Sequence, residues 1–183
     1  MIKTRLSFSI LAAASTALLS STTMASDFNL GINNDTVEVG LYAPLSQSSR
    51  FSADYLYHDQ DGDMLELGFQ VTNRVARGNM ALGLKAVKLW SDVRDNGHAF
   101  AIGGDYSLMV APKTSIALSA YYAPSVLSYS GVDRFYHADA KVVYDLMPNA
   151  DVYVGYRDVH FKFENARSQT LDQSLYLGAT LKF

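Results

Sequence analysis

The chain has 183 residues, no cysteine, and 15 basic against 18 acidic side chains, a net charge of −3. That length suits one domain with a closed core and is too short for two comfortable ones. No basic stripe is present to neutralise a phosphate backbone, which argues against nucleic acid as a partner. A small exported domain without disulfides needs another way to hold itself together, and a closed hydrogen-bonded barrel is one.

The N-terminus predicts export. Lys3 and Arg5 form a positive leader, Leu6 to Leu19 is apolar or small, and Thr23 and Ala25 are small residues at the −3 and −1 positions of a cleavage site. This pattern is that of a secretory signal peptide over residues 1–25, leaving 26–183 as the mature domain. Its removal takes Lys3 and Arg5 and leaves 13 basic against 18 acidic residues, a net charge of −5. No later segment approaches the ~20 apolar residues that a membrane helix needs, which excludes a helical inner-membrane protein.

The remaining chain alternates with period two, the signature of strands. Val37, Val39 and Leu41 alternate with Glu38 and Gly40. Phe51, Ala53, Tyr55 and Tyr57 alternate with Ser52, Asp54 and Leu56, and Leu65, Leu67, Phe69 and Val71 with Glu66, Gly68 and Gln70. Met80, Leu82 and Leu84 oppose Ala81, Gly83 and Lys85; Phe100, Ile102, Tyr106 and Leu108 oppose Ala101, Gly103 and Asp105. Ile116 to Tyr122, Tyr136 to Leu146 and Val152 to Tyr156 continue the pattern. In the last segment Leu171, Leu175, Leu177, Ala179, Leu181 and Phe183 share a face broken only by Gln173. After Arg157 the apolar phase shifts to Val159, Phe161 and Phe163, which predicts a bulge. These segments make nine strands, and Phe28 to Ile32 is a short tenth. Single-chain bacterial barrels have even strand numbers, so ten strands are expected, or eight if the N-terminal part stays outside the wall.

The connections alternate in character. Pro44 to Arg50, Asn73 to Asn79, Ala111 to Lys113 and Met147 to Asn149 are candidate turns at one end. His58 to Asp63, Ser91 to Gly97, Ala123 to Asp133 and Glu164 to Thr170 are polar loops at the other. Short periplasmic turns and longer outer loops are the habit of a membrane barrel.

Period two does not by itself say which face is inside; a soluble ligand-binding barrel would turn the apolar face inward. Three features turn it outward, to lipid. Tyr57, Trp90, Tyr122 and Tyr136 gather at the loop end and Phe51, Tyr144 and Phe183 at the turn end, as two interfacial girdles would. The opposite face mixes Glu38, Asp54, Glu66, Lys85, Asp105, Asp139, Lys141, Arg157 and Lys182 with glycine and small residues, which suits a narrow interior filled by ion pairs. The chain also ends on Phe183 within an alternating strand, an ending of the kind the barrel assembly machinery reads. The expected fold is therefore all-β, a closed antiparallel up-and-down transmembrane β-barrel of 8–10 strands with a polar, filled interior. Such a lumen is too narrow for a general porin, which needs about 16 strands.

Residues that invite chemistry have structural readings beside them. Asp59, Asp61 and Asp63 have the alternate spacing of a calcium loop, but Met64 and Gln70 stand where glycine and glutamate belong, and Asp61-Gly62 suits a tight reversal. His58, His98, His137 and His160 show no metal-ligand spacing on one strand face. Small outer-membrane lipid A deacylases keep a histidine near the loop end of a strand with serine two residues on; His160 is followed there by Lys162, so the hydroxyl nucleophile is missing. Asp54, Glu66, Asp105 and Asp139 are expected to pair with inward lysines and arginine across strands. No catalytic, cofactor-binding or metal-binding residues are assigned.

The stretches Tyr57-His58-Asp59-Gln60-Asp61-Gly62-Asp63, Gly83 to Val87, Ala99 to Gly104, Tyr121 to Ser125, Val154 to Arg157 and Leu177 to Phe183 follow one another as in the YfaZ family of outer-membrane proteins, which the chain resembles over most of its mature length. Gln60 departs from the acidic residue that stands there in the family. The resemblance implies an outer-membrane location and a barrel fold, and carries no catalytic residues. Taken together, the sequence predicts a monomeric barrel of structural or surface-interaction type without enzymatic activity, whose partners are outer-membrane lipids and, during biogenesis, the assembly machinery. A narrow channel for small solutes or ions is the alternative, then a lipid-modifying enzyme, then a soluble periplasmic ligand-binding barrel.

Overall fold

The computed structural model describes residues 26–92, 96–163 and 168–183. The predicted signal peptide, most of the 164–170 loop and the centre of the 91–97 loop lie outside the described residues. Eleven strands follow in order: β1 (Asp27–Ile32), β2 (Thr36–Ser46), β3 (Ser49–His58), β4 (Gly62–Val75), β5 (Gly78–Ser91), β6 (Gly97–Ala111), β7 (Thr114–Ala123), β8 (Ser128–Tyr129), β9 (Val132–Met147), β10 (Ala150–Phe163) and β11 (Gln169–Lys182). Ten of them make the wall. Each pairs antiparallel with its chain neighbour, β7 with β9, and β1 closes on β11 from Asp27↔Lys182 to Ile32↔Leu177.

Closure begins with the first described residue, because Ser26 and Phe183 exchange both backbone hydrogen bonds at 3.2 and 2.9 Å. The N-terminal segment is thus part of the wall and the strand number is ten. β8 was not foreseen. It follows a one-turn 3₁₀ segment, Ser125–Leu127, and pairs with β6 through His98↔Tyr129 and Ala99↔Ser128, continuing the wall above the shorter β7. Four turns at one end shrink to two residues each, at 47–48, 76–77, 112–113 and 148–149, while the strands beside them run longer than the alternation alone suggests.

Side chains sort as the alternation predicts. Leu67, Phe69, Leu82, Leu84, Ile102, Leu118, Val142, Val154 and Leu177 all stand on the exterior, exposed, while Ser52, Asp54, Glu66, Gln70, Lys85 and Arg157 are buried within. An exterior of contiguous aliphatic side chains on a water-soluble domain of this size would be an aggregation surface. Against hydrocarbon it is the favourable arrangement, and closure leaves no unpaired strand edge there. β4, β5, β10 and β11 have 14 residues and β9 has 16, more than the ~9–11 that a tilted strand needs to cross.

Two expectations about the last hairpin are corrected. β10 does not slip phase after Arg157: Arg157, Val159, Phe161 and Phe163 all point inward and are buried. What changes is the chemistry of the interior. The register shift falls between Val159↔Asp172 and His160↔Thr170, so the extra residue is Leu171 on β11. The bulge turns both Leu171 and Asp172 inward, and Leu171, assigned to the lipid face by alternation, is fully buried in the lumen. With it sit Leu56, Met64, Val87, Leu89, Val132, Phe135, Val159, Phe161 and Phe163, an apolar core that fills the loop half of the barrel. Phe135 and Phe161 meet at 4.7 Å between ring centroids. The interior is thus polar in its middle and turn-end half and mainly apolar at the loop end, where Thr36, Ser128 and Gln169 are buried polar exceptions.

Cross-strand pairs on β10 and β11 also interlock. Tyr153 faces Gly178 and Tyr176 faces Gly155 in register. A Cβ added at Gly178 would meet the Tyr153 ring at 2.3 Å, and one at Gly155 the Tyr176 ring at 2.6 Å. Each ring lies across the glycine of the facing strand, a packing that needs the absent side chain.

The face assignment has a direct test in Val142 and Val143, neighbours that point outward and inward. Val142→Arg is expected to cost about 2–4 kcal/mol, as for a basic side chain near the bilayer midplane, and more in thick-chain than in thin-chain vesicles. Val143 lines the lumenal cavity, so Val143→Arg should cost less and show no dependence on bilayer thickness. Reversible urea unfolding in the two vesicle types measures both; a thickness-dependent penalty at 143 but not at 142 would invert the barrel.

Candidate functional site

Inward residues of successive strands meet across the lumen because a ten-stranded barrel is about as wide as two long side chains laid end to end. Glu66, on β4, is fully buried at the centre. It accepts from Lys85 Nζ of β5 at 2.5 Å and pairs with His137 Nδ1 of β9, on the far wall, at 2.9 Å. Lys85 also lies 3.7 Å from Asp54 and sits 4.6 Å above the Tyr121 ring. Tyr121 carries the network onward: Gln70 donates to its hydroxyl at 2.8 Å and the hydroxyl donates to Asp105 at 3.2 Å. Arg50 closes this cluster by donating to Gln70 and by pairing with Asp105 at 2.6 Å.

A second cluster is centred on Arg157. Its guanidinium is 3.0 Å from Glu38 of β2 and 3.2 Å from Asp172 of β11, and stacks 4.3 Å from the Tyr176 ring. Tyr176 donates to Asp139, whose other neighbour is Lys141 at 3.6 Å. Lys141 in turn lies 4.9 Å from the Tyr153 ring. Asp172 is shared: Thr36 and Ser174 both donate to it, at 3.3 and 2.5 Å. At the turn end Lys182 pairs with Asp151 at 2.6 Å. The four inward carboxylates singled out from sequence, Asp54, Glu66, Asp105 and Asp139, therefore each have a cationic or hydrogen-bonding partner reaching from another strand or from their own.

Beside these clusters the turn-end half holds a cavity of about 410 Å³. Tyr42, Arg50, Asp105, Lys141, Tyr153 and Lys182 are among its lining residues, and it opens toward the short turns. In the other direction it stops at the apolar core, where Leu89, Phe135, Val159, Phe161 and Leu171 have no exposed surface. The lumen is thus a polar cup with an apolar stopper. Tyr153 and Tyr176 stand on the polar face as their alternation with Val152, Val154, Leu175 and Leu177 predicts. Tyr42 and Arg50 were not placed there beforehand, although their phase with Glu38 and Asp54 was there to be read.

The histidines separate. His58 Nδ1 accepts the backbone N–H of Gln60 and Asp61 at 3.2 and 3.1 Å, capping the β3–β4 turn. Gly62 follows at φ +113°, where an added Cβ would strike the Trp90 carbonyl at 2.0 Å, so glycine is required there. Asp63, third of the alternate carboxylates, belongs to β4 rather than to the turn. Among the described residues no group of three His, Cys, Asp or Glu is placed to hold a metal ion.

His160 faces outward and stacks on Tyr136 at 5.1 Å, with its Nδ1 3.2 Å from Asp158. The Thr170 hydroxyl lies 2.8 Å from Nε2 and also 3.4 Å from Nδ1. A hydroxyl in line with the Nε2 lone pair would be much farther from Nδ1. Thr170 therefore lies beside the ring rather than on the axis along which a base takes a proton, so this is not a nucleophile–base arrangement.

The lumenal networks should behave as buried ion pairs do. Arg157→Ala leaves Glu38 and Asp172 without their counter-charge and is expected to cost about 3–5 kcal/mol of unfolding free energy. The triple change Arg157→Met, Glu38→Gln and Asp172→Asn removes the charges together and should recover most of that loss, read by urea unfolding in vesicles. Equal loss in both variants would mean that Arg157 acts through packing alone.

The family model described as "YfaZ precursor" matches residues 5–183. Outer membrane protein YfaZ of Escherichia coli (strain K12) is 24% identical over 156 residues, covering 85% of this chain and 82% of that protein. Among solved structures, the outer membrane channel DcaP of Acinetobacter baumannii aligns with a TM-score of 0.49 at 13% identity over 90% of this chain, which spans only 55% of that chain's length. A second, from a study of in-meso crystallization of membrane proteins, gives a TM-score of 0.45 at 12% identity over 87% of this chain and 83% of that one. With the family match over nearly the whole sequence and a closed barrel dressed for lipid, the chain belongs to the YfaZ family and is a β-barrel of the bacterial outer membrane.

Proposed function

We propose that this protein is a structural or surface-interaction barrel whose lumen conducts no solute and which catalyses no reaction. The observation that carries the reading is the stopper: at the loop end an apolar core contributed by β3 to β7 and β9 to β11 packs against the buried polar side chains of Thr36 and Asp172. Opening a path there would need Phe135, Phe161 and Leu171 to leave well-packed positions, and each buried apolar side chain of this kind contributes about 1.5–3 kcal/mol. The off-axis hydroxyl at His160 and the pairing of the lumenal carboxylates support the non-enzymatic part. Closure, which leaves no unpaired edge between β1 and β11, supports a monomer. Lipids of the outer membrane are its standing partners, and Phe183, at the end of β11, is read as the signal to the assembly machinery.

One observation favours a second reading, a narrow channel: the charged cup already reaches from the turn end to the barrel's middle. Planar-bilayer recording separates the two. The wild-type protein is expected to give no steady unitary steps, whereas Phe135→Ala with Phe161→Ala, which hollows the stopper, should produce them. Steady steps from the wild type would overturn the closed-lumen reading, and a lipid A mass spectrum altered by expression would overturn the non-enzymatic one.

Residues 1–25 are proposed to be removed on export. The hydrogen-bonded closure between Ser26 and Phe183 supports this, since the residue that would become the mature N-terminus is already held by the last strand. Intact-mass analysis of protein from outer membranes should find Ser26 as the first residue; a retained leader would overturn the assignment.

A further inference from the structure

The lumen uses most of its charges on itself; among the described residues the lipid-facing wall holds a set of donors at the loop end that has no carboxylate partner. On the exterior of the loop end, the paired row Tyr55, Leu65, Lys88, His98 and Tyr129 runs across β3, β4, β5, β6 and β8. Lys88 Nζ lies 2.6 Å from His98 Nε2 and 5.7 Å from the centre of the Trp90 ring. His98 Nδ1 lies 3.2 Å from the Ser130 hydroxyl. Phe100 and Tyr129 meet edge to face at 6.3 Å just beside them.

A lysine on the outer wall of a membrane barrel is costly unless its ammonium reaches the interface and finds a partner there. Here the amine lies beside Trp90, and among the described residues the neighbour it meets is another potential cation, not a carboxylate. Lys162 and Arg134, also exterior at this end, instead lean on Asp133 at 4.0 and 3.1 Å. Lys88, His98 and Ser130 therefore form a cluster of donors with no carboxylate beside it among the described residues, at the depth of the aromatic belt. A phosphate would accept from all three, and would allow His98 to become a second cation beside Lys88 rather than only its acceptor. Trp90, Phe100 and Tyr129 around the cluster provide flat apolar faces suited to a sugar ring.

We propose that Lys88 and His98, with Ser130, bind a sugar-linked phosphate of lipid A, the phosphorylated glucosamine head group of the outer leaflet. This deepens the surface-interaction reading and rests on it, with the polar loops of the loop end taken to face the outer surface as their length predicts. The site turns a costly exterior lysine into an anchor: the barrel carries a bound lipid at a fixed azimuth, on the β5–β6–β8 side.

The test is competition binding in detergent micelles, followed by native mass spectrometry, with bisphosphorylated lipid A, enzymatically dephosphorylated lipid A and phosphatidylglycerol as probes. Bisphosphorylated lipid A should bind at least tenfold more tightly than either of the others. Lys88→Ala with His98→Ala should erase that preference, while Lys162→Ala, whose lysine already leans on Asp133, should keep it. Heat-modifiable migration confirms that each variant is folded; if the double alanine variant is not, Lys88→Gln with His98→Gln replaces it with the same expectation. Equal binding of the dephosphorylated lipid, equal binding of phosphatidylglycerol, or an unchanged preference in the folded variant would each overturn the proposal. Conductance does not enter this readout, so a barrel that conducts yet prefers the phosphorylated lipid keeps the site and loses only the closed-lumen reading.

Discussion

Every feature of this protein follows from the requirement that a backbone in hydrocarbon satisfy its own hydrogen bonds. A strand edge facing lipid would leave a row of N–H and C=O groups each costing several kcal/mol, so the sheet must return to its first strand. Here the return is made by six residue pairs between β1 and β11, with Ser26 and Phe183 completing it at the chain's ends. Once the sheet is closed, the pleat divides every strand into an outer and an inner set of side chains. The outer set has a uniform solvent and can be uniformly aliphatic. The inner set must fill a tube of fixed width, and composition has freedom only there.

That freedom is used in two ways along one axis. From the middle of the barrel toward the turn end, charges of both signs meet across the lumen, each reaching from a different strand: His137 to Glu66, Arg50 to Asp105, Arg157 to Glu38 and Asp172. Such pairs recover desolvation only when their geometry is good. Around Glu66 and Asp105 tyrosine and glutamine extend the set by hydrogen bonds. Arg157 is instead held by charge and ring stacking, its three guanidinium nitrogens making no hydrogen bond among the described residues. In the loop-end half the tube is filled by leucine, valine and phenylalanine instead. Apolar packing needs no partner geometry and excludes water and ions wherever it is continuous. The boundary between the two fillings, near Tyr121 and His137, decides how deep water can enter from the turn end.

Much of this was legible in the sequence. Alternation placed the strands, the exterior aliphatics and the inward carboxylates, because in a barrel wall side-chain direction depends on parity alone. What parity cannot show is a change in what the inside is made of. Val159, Phe161 and Phe163 are apolar on an inward phase, and a rule that equates apolar with outward must read them as a slip. Leu171 misleads in the opposite sense: it fits the outward pattern of β11 only because the bulge that turns it inward leaves no mark in composition. The partners of the lumenal charges were also out of reach, since Glu66 and His137 are brought together by closure rather than by chain proximity. The same holds for Lys88 and His98, which are neighbours only through the register of β5 on β6.

The division of the lumen also bears on the lipid site proposed for the exterior of the loop end. With the stopper packed behind them, β5, β6, β9 and β10 present a wall that cannot yield inward, so donors placed on it are held at fixed spacing. Binding to a rigid wall loses little conformational freedom on the protein side, which favours small clusters over large surfaces. The turn-end half has the reverse character, with a cavity behind its wall that opens toward the short turns and charges paired with one another. A barrel built this way separates its two tasks by height: the lower half keeps the tube together through ion pairs, and the upper half gives the membrane a firm face to grip.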